Sequence, residues 1–309
     1  MGAIEELEQG ARNVAERAGP AVVAIGRGAR GSGVVISDGK VLTNAHNLRD
    51  STTSVTFGDG RTVQGTAVAV DGDGDLAVLE VDTGGVTALV WGDAGAATTG
   101  SVVYAAARGR AGLRTTSGMV TGTEQELRGP RGRRIRGSLE HTAPLARGSS
   151  GGPVLDGDGR LLAINTRRLG EGFYSALPAD EAFQAKVTAL AAGRAPARRR
   201  LGVALAPSAV ARRLRSAVGL PERDGLLVRG VEAEGPADRA GLREGDLLVE
   251  AAGRALTDAD VLHEVLDAGT DGDDAAVRLL VVRGAEELTV DVTFTPDVVA
   301  DDAGGEAPA

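Results

Sequence analysis

The chain has 309 residues, enough for about two domains that each bury a core of their own. It carries 34 basic against 43 acidic residues, a net charge of -9, with 2% aromatics, three histidines and no cysteine. Disulfides, thiolate metal sites and cysteine nucleophiles are therefore excluded, and an acidic chain with almost no stacking surface is a poor reader of nucleic acid. No cofactor and no metal are expected. The 46 glycines sit among short runs of Val, Leu, Ile and Ala, a texture of strands and tight turns rather than long helices.

Residues 1–20 read as one amphipathic helix, with Ile4, Leu7, Ala11, Val14 and Ala18 at helical spacing and Gly19-Pro20 as the stop. They contain no secretory-type apolar stretch, and no run of the chain approaches the ~18 residues that span a membrane. As it stands the sequence predicts a cytoplasmic protein, with the cell envelope as the alternative if the N-terminus is incomplete. Residues 21–190 form the first domain: AVVAIG, GVVIS, VLTN, SVTF, VQGTAVAV, LAVLEV, SVVYAAA, GMVTGT, PVLD, LLAIN and FYSAL alternate with Gly- and Asp-rich turns, then a helix runs from Ala179 to Leu190. This is a mainly β unit, a barrel or sandwich in one or two parts. The arginine-rich RGPRGRRIR (128–136) reads as a solvated loop between strands.

Residues 191–199 (AAGRAPARR) are small, basic and interrupted by proline, and read as a linker. Residues 200–297 then mix strands with helices, including a helix over Asp258–Asp267 with Thr257 as N-cap and Gly269 as its close. Residues 298–309 have no apolar anchor and read as a disordered tail.

The chemistry concentrates in three strings. GSSGGP (148–153) surrounds a serine with glycines that permit tight turns and aim amides at a developing oxyanion, so Ser150 is the candidate nucleophile and the amides of Gly148, Ser149 and Ser150 the candidate oxyanion hole. The hairpin GSGVVIS-DG-KVLTNAH delivers His46 just past a strand end, where a general base sits firmly. Asp75, in DGDGDLAVLEV, precedes an apolar strand and is placed to be buried against an imidazole.

In the order His46, Asp75, Ser150, these strings make the chain resemble the HtrA family of serine proteases. GSGVVIS, LTNAH, DLAVLEV, SGMVTG, GSSGGPVLD and GFYSALP carry the resemblance over residues 18–295. It implies a chymotrypsin-like double β-barrel followed by a small α+β PDZ domain, and endopeptidase chemistry on unfolded or misfolded proteins through an acyl-enzyme. Where the family has Asn before the serine, this chain has Ser149, and a TDA-type string is replaced by His141-Thr142-Ala143-Pro144-Leu145. By the same resemblance Leu145, Ile164, Asn165 and Thr166 line the S1 pocket, with a small or medium aliphatic P1 residue expected. In the PDZ domain Arg200-Leu201-Gly202-Val203 resembles the loop that holds a peptide's terminal carboxylate, with Val261, Leu262 and Val265 as groove contacts. The expected partners are unfolded protein or peptide substrates and peptide C-termini. Family trimers form through aromatic-rich N-termini; residues 1–20 have no aromatic, and a homo-oligomer stays an open alternative. The rival reading is a catalytically inactive PDZ peptide-binding adaptor.

Overall fold

Runs of β-branched residues, each ended by glycine or aspartate, close in this chain into two barrels and one further sheet. The computed structural model describes residues 2–129, 134–196, 199–268 and 276–294, in two units, 1–196 and 197–309.

The first unit opens with α1 (Ala3–Asn13), whose first turn is closed by the Gly2 amide donating to Glu5 Oε2 at 3.0 Å. Its winding loosens into a π turn over Val14–Ala18, and Val14 and Ala18 are fully buried. The first barrel comprises β1 (Val22–Ile25), β2 (Gly31–Ser37), β3 (Lys40–Thr43), β4 (Thr52–Thr56), β5 (Thr62–Asp71) and β6 (Leu76–Glu80), in the order β1-β2-β3-β6-β5-β4. Pairing of Ala24 with Thr56 closes it. The second comprises β7 (Val102–Gly109), β8 (Gly112–Arg128), β9 (Arg134–His141), β10 (Pro153–Leu155), β11 (Leu161–Gly170) and β12 (Phe173–Pro178), in the order β10-β11-β12-β9-β8-β7. Val22, Val34, Leu42 and Leu79 fill the first and Val103, Leu139, Val154 and Ala163 the second, each at most 2% exposed. Burial of one such Val or Leu contributes about 1.5–3 kcal/mol. α2 (Glu181–Ala191) follows, capped by the Asp180 carboxylate, which accepts from the Phe183 amide at 2.8 Å.

The second unit holds β13 (Val203–Ala206), α3 (Ser208–Ala217), β14 (Leu226–Val231), α4 (Pro236–Arg239), β15 (Leu247–Ala251), β16 (Arg254–Ala255), α5 (Ala259–Ala268), β17 (Val277–Arg283) and β18 (Glu286–Val292). The sheet runs β13-β14-β15-β17-β18, with β16 beside β15, so β13 is an edge strand. Arg283 ties the sheet to the α4–β15 turn through the buried Asp246 carboxylate, at 2.7 and 2.8 Å.

The structure departs from the sequence expectations in three places. The stretch 128–136 is not simply a loop: Arg128 ends β8 and Arg134 begins β9, the arginines occupying exposed strand positions around residues that lie outside the described set. α3 was not expected; its Ala211 and Arg215 turn inward while Arg212 and Arg213 dilute the apolar pattern. α5 is capped by Asp258, not Thr257, because the Asp258 carboxylate accepts from the amides of Asp260 and Val261 at 2.8 and 3.2 Å. Gly269 and the tail 298–309 lie outside the described residues.

Candidate active site

Strand pairing brings the first two site residues together. β3 and β6 are neighbours, with Thr43 opposite Ala77, so His46, in a 3-10 turn just past β3, meets Asp75, just before β6. His46 Nδ1 lies 2.9 and 2.8 Å from the two carboxylate oxygens of Asp75, and the His46 backbone amide donates to Oδ1 at 3.1 Å. An acceptor-only carboxylate on Nδ1 fixes that nitrogen as the N–H and leaves Nε2 with its lone pair. The Asp75 side chain is 1% exposed and that of His46 36%, so the acid is sealed and the base open. Asp75 adopts φ 56°, a left-handed conformation that costs a non-glycine residue energy and is held by the Asn44 amide donating to its carbonyl at 2.9 Å.

Ser150 comes from the irregular segment 142–152 of the second barrel. The first barrel grips that segment: Ser32 N and Asn47 Nδ2 both donate to the Ser150 carbonyl, at 2.8 and 2.9 Å, and Ser32 Oγ donates to the Gly148 carbonyl at 2.9 Å. Glycine is demanded twice. Gly148 and Gly151 both have φ 86°, and a Cβ there would come within 2.4 Å of the Ala29 carbonyl oxygen or 2.2 Å of that of Ser32. Among the described residues, the amides of Gly148, Ser149 and Ser150 donate to no protein acceptor, which leaves them available to an anionic oxygen. The Ser150 hydroxyl donates to the Thr166 carbonyl at 3.0 Å and makes no hydrogen bond to His46.

The expected S1 lining is only partly supported. Leu145 is half-buried, its carbonyl accepting from the Tyr174 hydroxyl at 3.4 Å. Ile164 is fully buried in the hydrophobic core, and Asn165 is consumed by structure: Nδ2 donates to the Gly152 and Pro153 carbonyls at 3.0 and 3.3 Å. Neither is a pocket wall, because strand alternation turns Ile164 inward and the amide of Asn165 is spent on the nucleophile segment. Thr166 has a different place again: its hydroxyl donates to Asp75 Oδ2 at 2.8 Å. The sequence reading missed this tie, which no spacing signals because the partners are 91 residues apart.

His141 is also deeper in the site than its sequence suggested. It is fully buried, stacks on Tyr174, accepts from the Ala143 amide at Nδ1 (3.2 Å) and donates from Nε2 to Asn165 Oδ1 (2.8 Å). Burial lowers its pKa below the usual histidine range, against smaller upward pulls from the Asn165 hydrogen bond and the Glu140 charge.

In the second unit, the amides of Leu201 and Gly202 donate to no acceptor among the described residues, and Gly202 has φ 75°. Arg200 stands exposed within 3.9 Å of Glu232, and Val203 begins the edge strand β13. The Leu201 side chain, however, is 3% exposed and part of the core. Leu262 (2%) and Val265 (6%) are likewise core residues, because the helical phase of α5 points them at the sheet; only Val261 is half-buried at the margin. The expected contacts at Leu262 and Val265 are corrected accordingly.

Two closed antiparallel barrels, a His–Asp pair on one and a glycine-framed serine on the other, followed in the chain by a sheet module with a free edge strand, define a trypsin-like peptidase fold joined to a PDZ domain. Residues 31–164 match the trypsin-like peptidase domain and residues 201–294 the PDZ domain. The chain is 33% identical over 279 residues to a putative serine protease HhoA of Synechocystis, covering 85% of this chain and 70% of that one. It is 32% identical over 293 residues to a probable periplasmic serine endoprotease DegP-like of Halomonas elongata, covering 90% of this chain and 60% of the relative. The chain belongs to the HtrA family of serine proteases. Its fold matches the HtrA-type protease AlgW with decapeptide (TM-score 0.65, 24% identity, 92% of this chain and 98% of that one). The serine endoprotease from Yersinia pestis is similar too (TM-score 0.62, 25% identity, 92% and 97%). The chain spans 60% of the Halomonas relative and 53% of a DegP-like relative from Brucella suis. Both are named periplasmic, which overturns the cytoplasmic expectation and points to the cell envelope. The absence of an apolar stretch among residues 1–20 carried no information about compartment.

Proposed function

We propose that the chain is a serine endopeptidase acting on unfolded or misfolded proteins, with Ser150 as nucleophile, His46 as general base and acid, and Asp75 as the group that orients His46. The observation that carries this reading is the paired 2.8 and 2.9 Å contact of a sealed Asp75 carboxylate with His46 Nδ1, which leaves Nε2 as the basic nitrogen. Ser150 passes its proton to Nε2 as its oxygen attacks the scissile carbonyl, and the amides of Gly148 and Ser150 receive the oxyanion. His46 returns the proton to the leaving amine, and a water opens the acyl-enzyme by the same route. Thr166, with its hydroxyl on Asp75, is a positioning residue.

The second unit supports a capture role. An extended peptide adds to the free edge of β13, with its terminal carboxylate on the unpaired amides of Leu201 and Gly202.

Degradation of casein by the wild type, Ser150→Ala and His46→Ala proteins, with and without a hydrophobic C-terminal peptide, tests both parts. Cleavage that disappears in both variants and rises with peptide in the wild type is the expected result. One observation favours a second reading: the Ser150 hydroxyl rests on Thr166 rather than on His46. If no form cleaves and all still bind the peptide, the chain is a peptide-binding adaptor.

A further inference from the structure

We infer that the substrate cleft selects peptides with acidic residues just before the scissile bond, through Arg167 and Arg168. The inference rests on the peptidase reading above and names its substrate class.

A cleft of about 310 Å³ opens beside the candidate nucleophile, lined by His46, Asp75, Thr166, Arg167, Arg168 and the end of β8 at Leu127–Gly129. Three of these lining residues are arginines, counting Arg128, in a chain whose net charge is -9. Arg167 and Arg168 are exposed. Among the described residues neither meets a carboxylate; the one bond of this pair runs from Arg168 Nε to the Gly170 carbonyl at 3.0 Å. The nearby acid Glu126 is already engaged by Arg134 and Arg136 at 3.2 and 3.3 Å. The remaining acid in the cleft, Asp75, is sealed under His46 and Thr166. Arg167 and Arg168 therefore present cationic charge to the cleft that no carboxylate among the described residues compensates.

The backbone places this charge relative to the chemistry. β11 pairs with β12 through Arg167 and Arg168, but its pairing with β10 stops at Ile164, so its other edge is open from Thr166 onward. That edge starts beside the nucleophile, because Ser150 Oγ lies 3.0 Å from the Thr166 carbonyl. Every strand of this barrel pairs antiparallel to its neighbours, and an extended peptide continuing the pattern runs opposite to β11. Residues facing Arg167 and Arg168 then precede the bond presented to Ser150. Arg167 and Arg168 are successive strand positions, so the two guanidiniums serve successive residues of the peptide.

Quenched fluorescent peptides that differ only in the second to fourth residues before the cleaved bond, as Asp/Glu, Ala or Lys, test this. The acidic set is expected to exceed the alanine set in kcat/KM by about five- to twentyfold at low salt, from two exposed charge pairs, and the ratio to collapse in high salt. Arg167→Glu with Arg168→Glu should turn the preference toward lysine, a gain that a misfolded variant cannot produce. Binding of the same peptides, labelled, to Ser150→Ala separates the two readings. Acidic peptides bound through the arginines but never cleaved leave this inference standing and remove the peptidase. Equal cleavage of all three sets, or an acidic preference that survives charge reversal, overturns the inference and keeps the peptidase.

Discussion

The first barrel delivers His46 and Asp75 from adjacent strands of one sheet, three residues past Thr43 and two before its partner Ala77, whereas the second delivers Ser150 from the irregular segment 142–152. The His–Asp geometry is thus a by-product of strand register, and anything that folds the barrel assembles it. The serine is held by tertiary bonds instead: Ser32, Asn47, Asn165 and Thr166 all bond to its segment from outside it. One half of the site is set by its own sheet, and the other by bonds that reach it from outside its segment.

The largest test of this contrast strikes the half set by its sheet. Asp75→Asn preserves the shape but lets an amide donate toward Nδ1, favouring the wrong tautomer, and kcat should fall about ten-thousandfold while circular dichroism stays unchanged. Gly151→Ala attacks the other half: its Cβ would meet the Ser32 carbonyl at 2.2 Å, displacing the segment and lowering kcat/KM by about a hundredfold. The same Cβ would lie 2.7 Å from Thr43 Oγ1 at the end of β3 and 3.1 Å from Asn47 Nδ2, so the His46 signals in a proton NMR spectrum should shift as well. Thr166→Val removes the one side-chain bond joining β11 to Asp75; the loss of a hydrogen bond to a charged group predicts a fall in kcat of about ten- to a hundredfold, partly restored by Thr166→Ser.

The smallest effect concerns His141. Its folded pKa lies below the ordinary value of 6.5, so below that pH the unfolded chain binds a proton that the native chain resists. The stability it supports is full above about pH 6.5 and declines as the pH falls toward the folded pKa. Denaturant midpoints measured from about pH 8 down to about pH 5 should show this slope in the wild type and a flatter one in His141→Gln.

The sequence pointed to His46, Asp75 and Ser150 as candidates and to a mainly β first domain through local signals: a serine among glycines, a histidine at a strand end, apolar runs between turns. Side-chain direction was harder to read. Ile164, Asn165 and Thr166 are consecutive, yet one enters the core, one braces the Gly152 carbonyl and one reaches Asp75, and only the folded register separates them. Leu262 and Val265 failed for the same reason on a helix, where phase decides between groove and core. β9 stayed hidden because arginines at its start mask a strand.

The bond from the Ser150 hydroxyl to the Thr166 carbonyl makes one oxygen the object of a contest. An arriving peptide that pairs with the open edge of β11 needs that acceptor for its own amide, and taking it releases the hydroxyl toward Nε2. The enzyme at rest would then be slow to react with serine-directed phosphonylating reagents, and occupancy of the edge would quicken the labelling. Recognition would arm the nucleophile, and an empty cleft would leave it safe.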